Sequence, residues 1–299
     1  MRKYKHLDTL PIGRASDEIT EGCLVLEGGA WRGLYTVGVL DAMMENDINL
    51  RTTVGISAGG LSGVGYVSGQ IGWGVRIDLS YRHDWNYCGL RAFFKEKGIT
   101  GFNYLYKQIL LDNPLDKKQL NDPSRRFIVG ATNMLTGQTD FFEKGKCSLS
   151  RAVQASATVP YLSRPVVING TPYMDGGCST KVPYRWAVED GQKKIVVVKT
   201  REREYRRKVS TPAIAKRMYK DYPAFVEAIP KASSDFNQMM DEFEELEATG
   251  EIFVIAPSKK VDVSRFDGNM EKLGNLYWLG YNDMQDCVGE LKAYLGKSH

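Results

Sequence analysis

Short apolar runs alternate with helix-like patterns through the first two thirds of the chain. Residues 23–26 form a continuous apolar run, which is typical of a strand buried on both faces. Residues 34–44 then place apolar side chains at helical spacing. A second short strand is predicted at 52–54, and residues 61–67 read as a helix rich in small residues. The pattern therefore predicts two successive strand–helix units.

Further strands are predicted downstream from the same kind of evidence, at 127–131, 166–168, 171–174, 194–198 and 252–255. Asn169-Gly170 between two of them favours the positive φ angles of a type I′ hairpin turn. Strands separated by helical stretches predict a three-layer α/β/α fold with a mostly parallel central sheet.

Polarity divides the chain into three parts. Residues 1–21 are polar and are expected to wrap the surface as a leader, and residues 22–200 carry the predicted sheet. Residues 201–299 are expected to add charged helices, one strand at about 252–256 and a final helix, packed on the same domain. The charged stretch 200–250 has two interpretations, a lid or membrane-contact segment and a solvated helical insertion.

Composition narrows the class of protein. A net charge of +4 over 299 residues does not suggest a nucleic-acid binder. We see no signal peptide and no apolar stretch near the ~18 residues of a membrane span. Five scattered cysteines without CxxC spacing favour reduced thiols, and hence a cytoplasmic protein, with peripheral contact at a membrane left open.

The sequence Gly55-Ile56-Ser57-Ala58-Gly59 follows a predicted strand and opens a helix. Glycines in this pattern allow a sharp turn that exposes the serine at the carboxyl end of a sheet. The start of the helix also brings backbone N–H groups near the hydroxyl. Ser57 is therefore the candidate nucleophile, with a purely structural turn as the alternative.

The histidines do not fit a Ser-His-Asp triad. His6 lies in the leader, His299 is the last residue, and His83 precedes the best acid candidate, against the chain order of α/β-hydrolases. We expect His83 to be a surface or pocket-rim residue. The candidate base is instead Asp175, which lies between a predicted strand and Gly176-Gly177. A simple turn aspartate is the alternative.

The loop Gly28-Gly29-Ala30-Trp31-Arg32-Gly33 has three interpretations. The first is a dinucleotide-binding fingerprint, but that pattern needs glycine where Ala30 stands. The second is a phosphate-binding P-loop, but that motif needs Gly-Lys-Ser/Thr at its end. The third is an oxyanion hole built from backbone N–H groups, with Gly28, Gly29, Ala30, Arg32 and Gly33 as candidates. The Arg32 side chain is expected either to anchor the loop or to meet an anionic group.

Together these motifs resemble the patatin-like phospholipase family, whose pattern is a glycine-rich oxyanion loop, a GxSxG elbow and a distant Asp-Gly-Gly. The segment 155–160, Ala-Ser-Ala-Thr-Val-Pro, resembles the family's Ala-Ser segment beneath the site. The resemblance covers about residues 22–200, and it identifies them as a patatin-like catalytic domain. Two departures stand out: Ala30 replaces a commoner glycine, and Lys181 stands where the family often has Asn.

The resemblance implies a lipid acyl hydrolase with a Ser57–Asp175 dyad, no histidine, no metal and no cofactor. The implied partner is a lipid or acyl-ester substrate. Transient contact with a membrane surface, and no nucleic acid, is what the mild positive charge indicates. Which lipid is cleaved and the oligomeric state stay open. A non-catalytic lipid-binding protein and a nucleotide-binding protein using the 28–33 loop are the alternatives.

Overall fold

The computed structural model describes residues 3–297, in which a mixed sheet lies between two layers of helices. The strands are β1 Gly13–Arg14, β2 Thr20–Leu26, β3 Leu50–Ile56, β4 Gln70–Ile71, β5 Arg126–Asn133, β6 Thr139–Glu143, β7 Val166–Ile168, β8 Thr171–Asp175, β9 Ile195–Val198 and β10 Ile252–Ile255. The α-helices are α1 Gly33–Glu45, α2 Ala58–Val67, α3 Trp73–Tyr81, α4 Leu90–Glu96, α5 Phe102–Tyr104, α6 Leu110–Asp112, α7 Lys117–Leu120, α8 Leu149–Ser156, α9 Tyr184–Glu189, α10 Ala213–Met218, α11 Pro223–Ala248, α12 Met270–Asp286 and α13 Val288–Leu295.

The predicted α/β fold is confirmed, and the main sheet has the order β10-β9-β2-β3-β5-β8-β7, with β6 also paired to β5. The strands from β10 to β5 are parallel. All four residues of β9 are buried, as expected for a strand covered on both faces. Every strand predicted from an apolar run is present. In the predicted hairpin turn, Asn169 and Gly170 both have positive φ.

At the other end of the sheet the strands are antiparallel. One of them, β6, was not predicted from the sequence. Its residues are half-buried and polar in part, so they lack an apolar run. The strands β3 and β8 lie end to end along the same side of β5. The pairing of β3 stops at Ile56 with Gly130, and the pairing of β8 starts at Asp175 with Ala131. The carboxyl ends of β3 and β8 therefore meet.

Helices cover the two faces differently. One layer contains α1, α2, α3 and α12, and the other contains α9 and α11. The long helix α11 turns Phe236, Met240 and Phe243 into the core against the sheet. The charged stretch 200–250 is therefore largely a packed helix, with its charges on the outer side.

Both chain ends pack against this core. Tyr4 and Leu10 of the leader are buried, and β1 pairs with β4. On the C-terminal side, β10 pairs with β9, and α12 packs closely against α1. A Cβ added to Gly280 would lie 2.1 Å from the Tyr35 carbonyl oxygen, so glycine is needed for this approach. Within the described residues, no helix is both long enough and apolar enough to span a bilayer.

Candidate active site

Ser57 occupies a strained turn between β3 and α2. Its φ of +53° lies in the left-handed region, which costs a non-glycine residue about 1–2 kcal/mol. Strain of this kind is concentrated at functional sites. The glycines on either side of Ser57 allow the turn: a Cβ on Gly59 would lie 2.6 Å from the Leu26 carbonyl oxygen. The helix can therefore begin directly against β2.

Ser156, at the end of α8, supports this turn from below. The N–H of Ser57 donates to Ser156 Oγ at 2.8 Å, and that hydroxyl donates to the Gly130 carbonyl at 2.6 Å. Ser156 is fully buried. The sequence indicated the 155–160 segment, but the role of this hydroxyl depends on the fold.

Asp175 ends β8 and faces Ser57. Its Oδ2 accepts a hydrogen bond from Ser57 Oγ at 2.7 Å, and its Oδ1 accepts from the Gly177 N–H at 2.8 Å. The chain passes so near the Gly130 carbonyl that a Cβ on Gly176 would lie 2.3 Å from its oxygen. Two residues far apart in sequence thus meet where β3 and β8 abut on β5.

Burial raises the pKa of the Asp175 carboxyl above its ordinary value. Hydrogen bonds from Ser57 and Gly177 and the charges of Lys181 and Arg265 act in the opposite direction. A raised pKa favours proton acceptance, because a carboxylate of ordinary pKa is a weak base at neutral pH.

Lys181 closes the aspartate loop. Its ammonium group donates to the carbonyl of Gly177, and the N–H of the same residue donates to Asp175. Burial lowers the pKa of Lys181 to about 8. The lysine that departs from the family pattern therefore supplies a contact within the same loop, where the sequence suggested only a missing amide.

The glycine loop lies directly beside Ser57. A Cβ on Gly28 would lie 3.2 Å from the Ser57 Cβ, so only glycine fits there without displacement. Three of the five candidate N–H groups already have acceptors: Gly28 donates to the Lys181 carbonyl, Arg32 to Gly29 and Gly33 to Ala30. The N–H groups of Gly29 and Ala30 have no acceptor within residues 3–297.

Ala30 keeps the backbone that a glycine would adopt. Its φ is +50°, in the left-handed region, and it opens a short 3₁₀ turn Ala30–Arg32. The departure from glycine therefore adds strain, about 1–2 kcal/mol, but leaves the N–H in place.

A buried carboxylate that the sequence analysis missed anchors this loop. Glu27 Oε1 accepts from Arg207 Nη2 at 2.7 Å, and Oε2 accepts from the Thr200 N–H at 2.7 Å. Glu27 is fully buried. In contrast, the guanidinium of Arg32 finds no acceptor in the part of the chain that the structure describes, and burial lowers its pKa to about 10. Glu27, rather than Arg32, therefore links the glycine loop to the segment that follows β9.

A cavity of about 630 Å³ opens beside Ser57, within the size range of small-molecule sites. Its walls are mainly apolar and aromatic, including Trp31, Leu61 and Ile77. Asp78 interrupts this wall, and burial raises its pKa to about 7. No residue of the 200–250 stretch lines the cavity.

The histidines stay apart from the serine. The His83 ring hydrogen-bonds the Gly268 carbonyl at 2.9 Å, and His83 does not line the cavity. His6 is exposed in the leader, and His299 lies outside the described residues. Among residues 3–297, no histidine side chain is hydrogen-bonded to Ser57 or Asp175.

Comparison with known proteins identifies the class. The sequence model of the Patatin-like phospholipase family matches residues 24–188, which is more than half of the chain. The chain therefore belongs to the patatin-like phospholipase family, as the motifs predicted. Residues 222–296 match a second model, described as a domain of unknown function (DUF6363).

Relatives of known sequence are distant. The chain is 27% identical to the uncharacterized protein YjjU of Escherichia coli, over 59% of this chain and 51% of that protein. It is 26% identical to the probable lipid hydrolase 463L of Invertebrate iridescent virus 6, over 57% of this chain and 64% of that protein. It is 26% identical to lysophospholipase NTE1 of Meyerozyma guilliermondii, over 58% of this chain and 12% of that protein. The matches thus span about half to two thirds of the first two relatives.

Two solved structures are similar at low identity. VipD from Legionella pneumophila has a TM-score of 0.48 at 14% identity, over 94% of this chain and 70% of that one. ExoU of Pseudomonas aeruginosa, solved in complex with SpcU, has a TM-score of 0.39 at 13% identity, over 94% and 54%.

Proposed function

We propose that this protein is a serine acyl hydrolase in which Ser57 is the nucleophile and Asp175 is its base. The observation that supports this most directly is the 2.7 Å hydrogen bond from Ser57 Oγ to Asp175 Oδ2 beside a mainly apolar cavity. A hydroxyl paired with a partly desolvated carboxylate can be activated without histidine.

In this mechanism Ser57 Oγ attacks the ester carbonyl carbon while Asp175 accepts the hydroxyl proton. The negative charge on the tetrahedral intermediate is stabilised by the N–H groups of Gly29 and Ala30, which have no acceptor among residues 3–297. The alcohol leaves with the proton from Asp175, and an acyl-enzyme forms. Asp175 then activates a water molecule, which releases the carboxylic acid and restores Ser57.

The substrate is proposed to be a phosphate-bearing lipid ester, a phospholipid or a lysophospholipid. The apolar cavity fits an acyl chain, because its walls offer few polar partners. Two cations lie close enough to act on the dyad: the charges of Lys181 and Arg265 both lower the pKa of the Asp175 carboxyl. Arg32 is buried nearby with no acceptor among the described residues. These cations favour an ester with an anionic head group over a neutral acylglycerol.

Fluorophosphonate labelling tests the nucleophile. Wild-type protein should label at Ser57, and Ser57→Ala should not. Ser234→Ala, which removes an exposed serine on α11, is the matched control and should label normally. Equal labelling of the Ser57→Ala protein would sink the assignment.

Esterase assays across acyl chain lengths test the reaction and its substrate. Asp175→Asn should lower kcat by about 10²–10⁴-fold, the range of general-base catalysis. Arg265→Gln should lower kcat/KM for a lysophospholipid more than for a monoacylglycerol. Tight lipid binding without turnover, unchanged in Asp175→Asn, would instead favour a non-catalytic lipid-binding protein.

A further inference from the structure

The helix α4 presents its apolar side to the outside. Leu90, Phe93 and Phe94 share one face at helical spacing, and they are 58%, 39% and 70% exposed. Trp85, just before the helix, is 58% exposed. A surface helix normally turns such a stripe toward the core. Neighbouring exposed aromatic and aliphatic side chains of this size mark an interaction surface.

Hydrogen bonds hold this arrangement in place. We call residues 84–101 the aromatic flap. The Ala92 N–H donates to the Trp85 carbonyl at 2.9 Å, which joins the helix to the preceding turn. The Gly89 N–H donates to the Ile99 carbonyl at 3.1 Å, across the base of the flap. The segment that carries these exposed apolar side chains is therefore folded.

The charge of the flap surface is positive. Arg91, Lys95 and Lys97 are exposed, and none of them forms an ion pair with any residue in the 3–297 range. The two acidic side chains of the flap accept hydrogen bonds from neighbouring residues. Glu96 accepts from the N–H groups of Asn103 and Tyr104, and Asp84 accepts from the Tyr104 hydroxyl and from Asn86. The outward surface thus combines exposed apolar side chains with cations that have no ion-pair partner in the described part of the chain.

The flap is continuous with the wall of the cavity. Tyr87 and Cys88 from its first half, and Ile99 and Thr100 from its second half, line the same cavity as Ser57. The apolar tips and the wall of the cavity belong to one short segment. Whatever the tips contact is therefore brought next to the cavity.

We propose that the aromatic flap docks onto the surface of a phospholipid bilayer that contains anionic lipids. Trp85, Leu90 and Phe94 enter the boundary between head groups and acyl chains, and the basic side chains contact lipid phosphates. Trp85 suits this boundary because its ring is amphipathic and tryptophan is enriched at membrane–water interfaces. A bilayer matches both features, whereas a second copy of this cationic surface would oppose like charges. The benefit to catalysis, delivery of an acyl ester to the cavity, rests on the proposed function.

Vesicle sedimentation with the full chain tests this docking. The Ser57→Ala protein is used as the background, so that binding is measured without turnover. It should bind vesicles of phosphatidylcholine with phosphatidylglycerol, and bind pure phosphatidylcholine more weakly. Leu90→Ser with Phe94→Ser should weaken binding roughly tenfold or more, since two inserting side chains are lost. Arg91→Gln with Lys95→Gln should do the same, and should remove the preference for anionic vesicles.

The matched control is Val188→Ser with Lys193→Gln, which changes an exposed apolar and an exposed basic residue near α9 on the opposite layer. It should bind like the background protein. In the Ser57-containing protein, the flap variants should keep activity on a soluble short-chain aryl ester and lose activity on vesicles.

Vesicle binding unchanged in both flap variants would overturn the proposal, as would a stable wild-type dimer that Leu90→Ser with Phe94→Ser dissociates. Failure of the proposed function would look different: no aryl-ester turnover by wild type, with flap-dependent vesicle binding intact.

Discussion

Lys181 shows how one side chain adjusts the chemistry of the candidate dyad. It donates to the Gly177 carbonyl, and its charge lowers the pKa of Asp175 against the effect of burial. Lys181→Met should therefore raise the pKa of Asp175. Activity that needs the ionised carboxylate rises with pH, so the acid limb of the kcat/KM profile should move to higher pH.

The measurement is the pH profile of soluble aryl-ester hydrolysis by wild type and Lys181→Met. The two profiles should converge at higher pH, where Asp175 is ionised in both proteins. Lys193→Gln, a distant exposed change, should leave the profile in place. An unmoved acid limb in Lys181→Met would show that Lys181 does not act on the base.

Ser156 supports the strained turn at Ser57 with a buried hydroxyl. Ser156→Ala would remove the acceptor of the buried Ser57 N–H and one donor to the Gly130 carbonyl, so the free energy of unfolding should fall by about 1–3 kcal/mol. We also expect kcat to fall, because the turn that aims Ser57 is less constrained. Ser68→Ala removes another buried hydroxyl, bonded to the Gly65 carbonyl, and should lower stability without lowering kcat. Equal effects of the two variants on kcat would contradict this role.

At the scale of elements, the glycine loop depends on Glu27, whose partners lie 173 and 180 positions further along the chain. Glu27 pairs with Arg207 and Thr200, and this pairing holds the loop between β2 and α1. Glu27→Gln should lower the free energy of unfolding by roughly 3–5 kcal/mol, because Arg207 is left as a buried, unpaired charge. Urea unfolding measures this loss.

Restoring part of the stability with Glu27→Gln and Arg207→Met together would identify the unpaired charge as the cause. The loop should also lose definition, so kcat on a soluble ester should fall in Glu27→Gln. If the single variant is as stable as wild type, the pair does not anchor the loop.

Local sequence signals predicted the elements that carry the site, but not how they meet. The apolar runs that became β2, β3 and β9 are visible because strands buried on both faces need little polarity. The approach of Ser57 to Asp175 depends on β3 and β8 sharing one side of β5, and that register is set by non-local pairing. The two residues were predicted one by one, Ser57 from its turn and Asp175 from the lack of a suitable histidine, and the family resemblance then joined them as a dyad. The Glu27 anchor was missed for the same reason.

At the scale of the whole molecule, Asp41 connects the first and last parts of the chain. It lies on α1 and accepts from the Tyr277 hydroxyl of α12 at 2.9 Å and from the Gly72 N–H, before α3, at 3.0 Å. The close approach of α1 and α12 at Gly280 brings these groups together. The C-terminal region is thus part of the same packed layer as α1, which begins directly after the glycine loop.

Burial raises the pKa of Asp41 to about 7, whereas an unfolded aspartate has a pKa near 3.9. Between these values the folded state binds more protons than the unfolded state, so the free energy of unfolding falls as pH rises. Asp78 has the same raised pKa of about 7 and adds to this trend. Each group should cost roughly 2–3 kcal/mol of stability between pH 5 and pH 8.

Asp41→Asn should remove about half of this pH dependence, because an amide keeps both contacts: its oxygen accepts from Gly72 and its NH₂ donates to the Tyr277 hydroxyl. Asp78→Asn should remove the other part, and the double variant should unfold with nearly the same free energy at pH 5 and pH 8. Urea unfolding at the two pH values measures the difference, with an unchanged m-value as the check that the unfolded state is comparable. A double variant with the wild-type slope would mean that other groups carry the pH dependence. A flat wild-type profile would mean that neither carboxyl is held above its ordinary pKa by the fold.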